Sequence, residues 1–117
     1  MNAPFSAMTA PLPAPAAPQR PDALLAQVVA DAKTFYDKNW LLGTAGNLSV
    51  RQPGAANGAC WITASGLDKG RLEVDDFLLV DAEAKPVLAI EARKPSAETL
   101  LHGLVYRRFP YVGAVYH

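Results

Sequence analysis

Glu98, His102 and His117 are the residues of this chain best suited to proton or metal chemistry. A carboxylate in a cleft takes and returns a proton when burial raises its pKa. At the start of a helix the same carboxylate simply complements the helix dipole. His102 follows Glu98 by four residues, which puts both on one side of a helix. It reads as a structural histidine or as a pairing partner for Glu98. His117 follows an apolar run, and a strand end holds an imidazole firmly enough to ligate a metal. One histidine makes no zinc site, however, and the sequence offers no other convincing donor. Cys60, beside Trp61 in an apolar run, reads as a buried thiol.

Three small-residue turns accompany these groups: Gly43 to Asn47, Thr63 to Gly66, and Lys94 to Ala97. Together they can surround an anion with backbone N–H groups, hydroxyls and the Asn47 amide. Taken singly, each is an ordinary turn. No Walker or dinucleotide glycine spacing is present.

Regular elements must position these turns. Leu24, Leu25, Val28, Val29, Ala32, Phe35 and Tyr36 recur at three- and four-residue spacing and predict a helix over 22–39 that Gly43 leaves behind. Strands are expected at 48–51, 59–63, 77–80, 87–90 and 112–116, with a hairpin joining the first two and a helical turn at 72–76. Short clustered strands favour antiparallel pairing. A second helix is expected from Ser96, its N-cap, to the residues before Pro110, with Leu100, Leu101, Leu104 and Val105 buried and Arg107-Arg108 complementing its C-terminal dipole.

Composition narrows the function classes. Six of the 10 prolines fall in residues 1–21, which read as a disordered Pro/Ala-rich tail rather than a signal peptide, leaving 22–117 as one domain. Half the 117 residues are hydrophobic, so the chain is not wholly disordered. Eleven basic residues balance eleven acidic ones, so no charge excess favours nucleic acid or an anionic membrane. A single cysteine excludes an intrachain disulfide. No apolar run is long enough to span a membrane, and a cytoplasmic location is expected.

Four stretches in order resemble the class II aldolase/adducin family: Gly43-Thr44-Ala45-Gly46-Asn47-Leu48-Ser49, Ile62 to Gly70, Lys94-Pro95-Ser96-Ala97-Glu98-Thr99, and Val112 to His117. Asp75-Asp76-Phe77 and Leu101-His102 fit the subgroup that dehydrates methylthioribulose 1-phosphate in methionine salvage. The resemblance implies a three-layer α/β/α fold with a largely antiparallel central sheet, and a homotetramer. It implies phosphate binding at Gly46, Asn47, Ser65, Gly66 and Ser96, with Glu98 as the acid/base. It also implies a divalent zinc (Zn2+) held by a His-x-His pair and a later histidine, with His117 first of the pair. His102 resembles a common non-ligand position. The second and third histidines of that pattern are absent. The expectation is therefore the N-terminal part of such a domain, incomplete at its C-terminus, with the isolated chain inactive. The implied reaction is a hydro-lyase step on a phosphorylated ketose, 5-methylthioribulose 1-phosphate, giving 2,3-diketo-5-methylthiopentyl 1-phosphate. The alternatives are a sugar-phosphate aldolase, a pentulose-phosphate 4-epimerase, or a non-catalytic interaction module or inactive fragment.

Overall fold

Residues 19–55, 57–87 and 93–117 are described by the computed structural model of the chain. The apolar stripe beginning after Pro21 forms helix α1, Asp22–Asp37. It ends two residues earlier than its periodicity predicts. Asn39 adopts φ 61°, a left-handed conformation that ends a helix, so the exit lies there and not at Gly43.

Four strands follow: β1 (Leu48–Arg51), β2 (Cys60–Thr63), β3 (Phe77–Val80) and β4 (Ala114–Tyr116). Their order across the sheet is β3-β2-β1-β4, and every neighbouring pair is antiparallel. The expected β1–β2 hairpin is present, pairing Ser49 with Ile62. The helical turn expected before β3 is a 3-10 turn at Val74–Asp76, and a second one occupies Lys69–Arg71. Of the strand expected at 87–90, residues 88–90 lie outside the described residues. Val87 donates its N–H to Leu79 O at 2.9 Å, and Pro86 bridges to Val80.

Side chains alternate across a strand, so each strand serves two layers. Leu48 and Val50 of β1, Trp61 of β2, and Phe77 and Leu79 of β3 pack with Leu25, Val28 and Ala32 of α1. Cys60, Ile62, Leu78 and Val80 face the other way, with Tyr106. Tyr106 belongs to the second helix, α2 (Thr99–Arg108). The result is an α/β fold with an antiparallel sheet between helical layers.

Helix α2 does not bury the face its leucines predict. Leu100, Leu101 and Leu104 are 57%, 48% and 53% exposed, and Val105 is only partly buried. Thr99, His102, Gly103 and Tyr106 face inward instead. Gly103 shows why: a Cβ there would lie 2.4 Å from Ala82 O, so a residue without one lets the helix approach this close. Arg51 then ties down the far end of α2. Its guanidinium donates to the carbonyls of Val112, Tyr106 and Phe109 at 2.9, 2.8 and 3.1 Å. A cation is favoured at those final carbonyls by the helix dipole. Among the described residues, no helix is long and apolar enough to cross a membrane.

Candidate functional site

The start of β1, the end of β2 and the end of β4 lie at one end of the sheet because these strands alternate in direction. Asn47 and His117 extend the β1–β4 ladder by one step, exchanging backbone hydrogen bonds of 2.7 and 2.8 Å. Beyond β2, Ala64 bridges to Pro95, and Ser65 N–H donates to Lys94 O at 2.9 Å. All three small-residue turns therefore meet at this end. Gly46 adopts φ 93°, and a Cβ there would lie 2.6 Å from Leu41 Cδ2. Its left-handed conformation calls for glycine.

Glu98, Asn47 and His117 come together here. Asn47 Nδ2 donates to Glu98 Oε2 at 2.9 Å, and His117 Nδ1 lies 2.8 Å from the same oxygen. The Asn47 hydrogen bond, followed by the charge and hydrogen bond of His117, holds the Glu98 carboxyl below the usual carboxylate range. The sequence leaves two readings open, a carboxyl raised by burial and a surface carboxylate at a helix start. The structure leaves Glu98 half exposed and stabilises its charged form. Such a group is ionised near neutral pH and can accept a proton. One N–H of the Asn47 amide, the group expected at the phosphate, is directed to Glu98.

His102 does not pair with Glu98. It is fully buried, and its Nδ1 lies 2.6 Å from Ser49 Oγ, which lies 2.7 Å from the Tyr106 hydroxyl. Burial pushes the imidazole down to about 4, so it is neutral at physiological pH. Its Nε2 and the nearby Thr99 Oγ1 are buried without a hydrogen-bond partner among the described residues. The His102 and His117 rings stand 6.4 Å apart. His102 and Tyr106 are four residues apart, and Ser49 alternates with Leu48 and Val50, so the network's signal was present in sequence but outweighed by the leucine pattern.

Ser96 is not the N-cap. Helix α2 begins at Thr99 after Glu98, and Ser96 Oγ accepts from Glu98 N–H at 3.2 Å. The hydroxyl thus shapes the turn that presents Glu98. Ser65 and Gly66 are exposed, and Gly66 adopts φ 79°. Among the described residues, the N–H groups of Gly46, Gly66 and Ala97 have no acceptor, so each turn has at least one open donor. Cys60 is buried as expected, its thiol pushed up to about 12 by burial, and takes no part in this site.

Lys69 is the site residue that sequence reasoning missed. It is only 1% exposed, and Nζ donates to Thr44 O at 3.1 Å and Leu67 O at 2.8 Å. It therefore joins the first turn to the second. Lysine is almost never fully buried, so nothing in the sequence set it apart.

No group of three His, Cys, Asp or Glu side chains suited to a metal forms among the described residues. His117 and Glu98 offer two donors on this chain, whereas a zinc centre takes at least three protein ligands. These residues by themselves do not fit a zinc ion.

Residues 26–117 match the family described as Class II Aldolase and Adducin N-terminal domain. The chain is 47% identical over 93 residues to a methylthioribulose-1-phosphate dehydratase from Sodalis glossinidius, covering 80% of this chain and 44% of that protein. A protein of the same name from Microcystis aeruginosa is 45% identical over 91 residues, covering 77% of this chain and 43% of its own length. An L-fuculose 1-phosphate aldolase structure from Glaciozyma antarctica superposes with a TM-score of 0.72 at 27% identity, covering 97% of this chain and 46% of that one. The chain thus spans less than half the length of the relatives it matches. The antiparallel sheet between two helical layers, the three turns gathered at its end and the match over residues 26–117 agree: this chain belongs to the class II aldolase/adducin family.

Proposed function

We propose that the protein to which these residues belong acts on a phosphorylated ketose, and that its reaction is the dehydration of 5-methylthioribulose 1-phosphate. The observation that carries this reading is the Glu98 carboxylate, ionised by Asn47 and His117 at the meeting point of three turns with open N–H donors. The names of the relatives at 45–47% identity support the choice of substrate.

In this reading Gly46, Asn47, Ser65, Gly66 and Ser96 form the phosphate end of the site, and Glu98 is the acid/base. The Gly46, Gly66 and Ala97 N–H groups bind phosphate oxygens and orient the sugar. One N–H of the Asn47 amide also sets the charge and direction of Glu98, which leaves its second N–H for the phosphate. Glu98 removes the C3 proton next to the C2 carbonyl and returns a proton to the departing C4 hydroxyl. Water leaves, and the resulting enol becomes the 2,3-diketone. His117 is assigned as one ligand of a zinc ion whose other ligands these residues do not supply. Assembly as a homotetramer belongs to the same proposal.

A second reading, cleavage of a sugar phosphate, draws support from the aldolase structure at TM-score 0.72. The protein as its gene encodes it should be assayed against 5-methylthioribulose 1-phosphate and L-fuculose 1-phosphate. Water loss from the first substrate alone is expected; carbon–carbon cleavage of the second without water loss would overturn the dehydratase reading. Glu98→Gln should lower turnover by about 10²–10⁴-fold while the phosphate end still binds. Near-normal turnover would remove Glu98 from the chemistry.

A further inference from the structure

Lys69 stands apart because its charge is buried with no carboxylate in ion-pair contact among the described residues. Taking an ammonium out of water costs several kcal/mol unless it is well compensated. Here Nζ is held by two backbone carbonyls, and among the described residues no carboxylate is in ion-pair contact with it. Burial pushes the Lys69 ammonium below its ordinary range, and the neighbouring Asp68 carboxylate, engaged by Gly70 N–H at 2.8 Å, only partly opposes this. An ammonium has three N–H donors, and the structure uses two. A Met of similar length would fill the same volume without that penalty.

The surroundings also hold this side chain in place. Gly70 packs on Tyr36 of α1 so tightly that a Cβ would lie 2.6 Å from the ring. The Asp68–Gly70 turn that carries Lys69 therefore sits directly against α1. The two carbonyls that Lys69 holds belong to Thr44, two residues before Gly46, and to Leu67, the residue after Gly66. A buried cation beneath two sets of open donors is compensated when an anion occupies them.

We infer that Lys69 is the fixed positive charge of the anion site, locking its first two turns together, and that the ligand it serves is a dianionic phosphate group. Lys69 is a positioning residue, 1% exposed and held by the carbonyls of Thr44 and Leu67. It acts through its field and through Thr44 and Leu67. This rests on the anion reading of the turns given above, and the test separates the two.

The 117-residue chain, uniformly labelled with ¹⁵N and ¹³C, is titrated separately with inorganic phosphate and with ribose 5-phosphate. The amide signals of Gly46 and Gly66 report binding. In Lys69→Met, both ligands should bind about tenfold more weakly, while the thermal midpoint stays level or rises because a buried charge has gone. Equal affinity in the variant overturns the role of Lys69 and leaves the anion site standing. Failure of either ligand to move Gly46 and Gly66 in the unsubstituted chain overturns both. A loss confined to ribose 5-phosphate overturns the assignment to the phosphate group. A fall in the midpoint overturns the claim that the charge is held against stability. If Lys69→Met does not fold, the unsubstituted chain decides: the Lys69 Cε signal should titrate at higher pH with phosphate bound, and an unmoved titration overturns the inference.

Discussion

The two faces of the sheet are built on different principles. Toward α1, Leu25, Val28 and Ala32 meet Leu48, Val50, Trp61, Phe77 and Leu79, and the cluster contains only apolar side chains. Toward α2, the buried helical residues are Thr99, His102, Gly103 and Tyr106, joined to β1 through Ser49, while three leucines of the same helix remain exposed. The first layer gains stability by removing apolar surface from water. The second places polar groups at fixed positions, which leaves two buried polar atoms unpartnered. The site lies at one end of the sheet, where Glu98 immediately precedes α2 and Asn47 immediately precedes β1. Both faces thus bury apolar side chains, and they differ in what the helix contributes: apolar residues from α1, and small and polar ones from α2.

The sharpest way to break this contrast is to make the same substitution on both faces. Leu25→Ala, at a fully buried position of α1, should cost about 2–5 kcal/mol, read as a shift in the urea midpoint at constant slope. A cost below 1 kcal/mol would show that the α1 layer is not the stabilising one. The next effect is acid sensitivity. The His102 pKa falls from 6.5 to about 4 on folding, so the unfolded chain binds more protons between those values. Stability from this group is complete above pH 6.5 and is lost as pH falls toward 4, reaching about 3 kcal/mol. The lowered Glu98 carboxyl adds a further loss in the same direction as pH falls through its folded value. His102→Gln should flatten the slope between pH 6.5 and 4; an unchanged slope would move the effect elsewhere. The smallest effect belongs to Leu101→Ala, on the exposed side of α2, which should change stability of this chain by less than about 0.5 kcal/mol. A loss near that of Leu25→Ala would mean that the leucine face is covered in solution.

Much of the α1 layer could be read directly. A three- and four-residue apolar repeat and two-residue alternation in Leu48–Arg51 follow from helix and strand geometry, which every residue in those elements obeys. The turns of the site were legible for the same reason, since Gly46 and Gly66 take positive φ values that glycine accepts freely. Helix α2 was misread because its apolar residues mark a surface that these residues leave open, while its inward face consists of the small and polar residues that fit against Ala82 and Ser49. Periodicity reports which residues avoid water, and it carries no information about which neighbour is at hand.

By itself, the sequence determined the elements, the turn positions, the three motifs that carry Glu98, Asn47 and Ser65, and the family likeness. These depend on local backbone preferences and residue order. Only the tertiary structure decided that Asn47 and His117 share one Glu98 oxygen, that Ser49 takes His102 away from Glu98, and that Lys69 is sealed beneath two turns. Those partners are 51, 19, 53 and 25 residues apart along the chain, and local preferences act only over a few residues. The charge of Glu98, the neutrality of His102 and the burial of Lys69 arise from packing that brings distant segments within hydrogen-bonding reach.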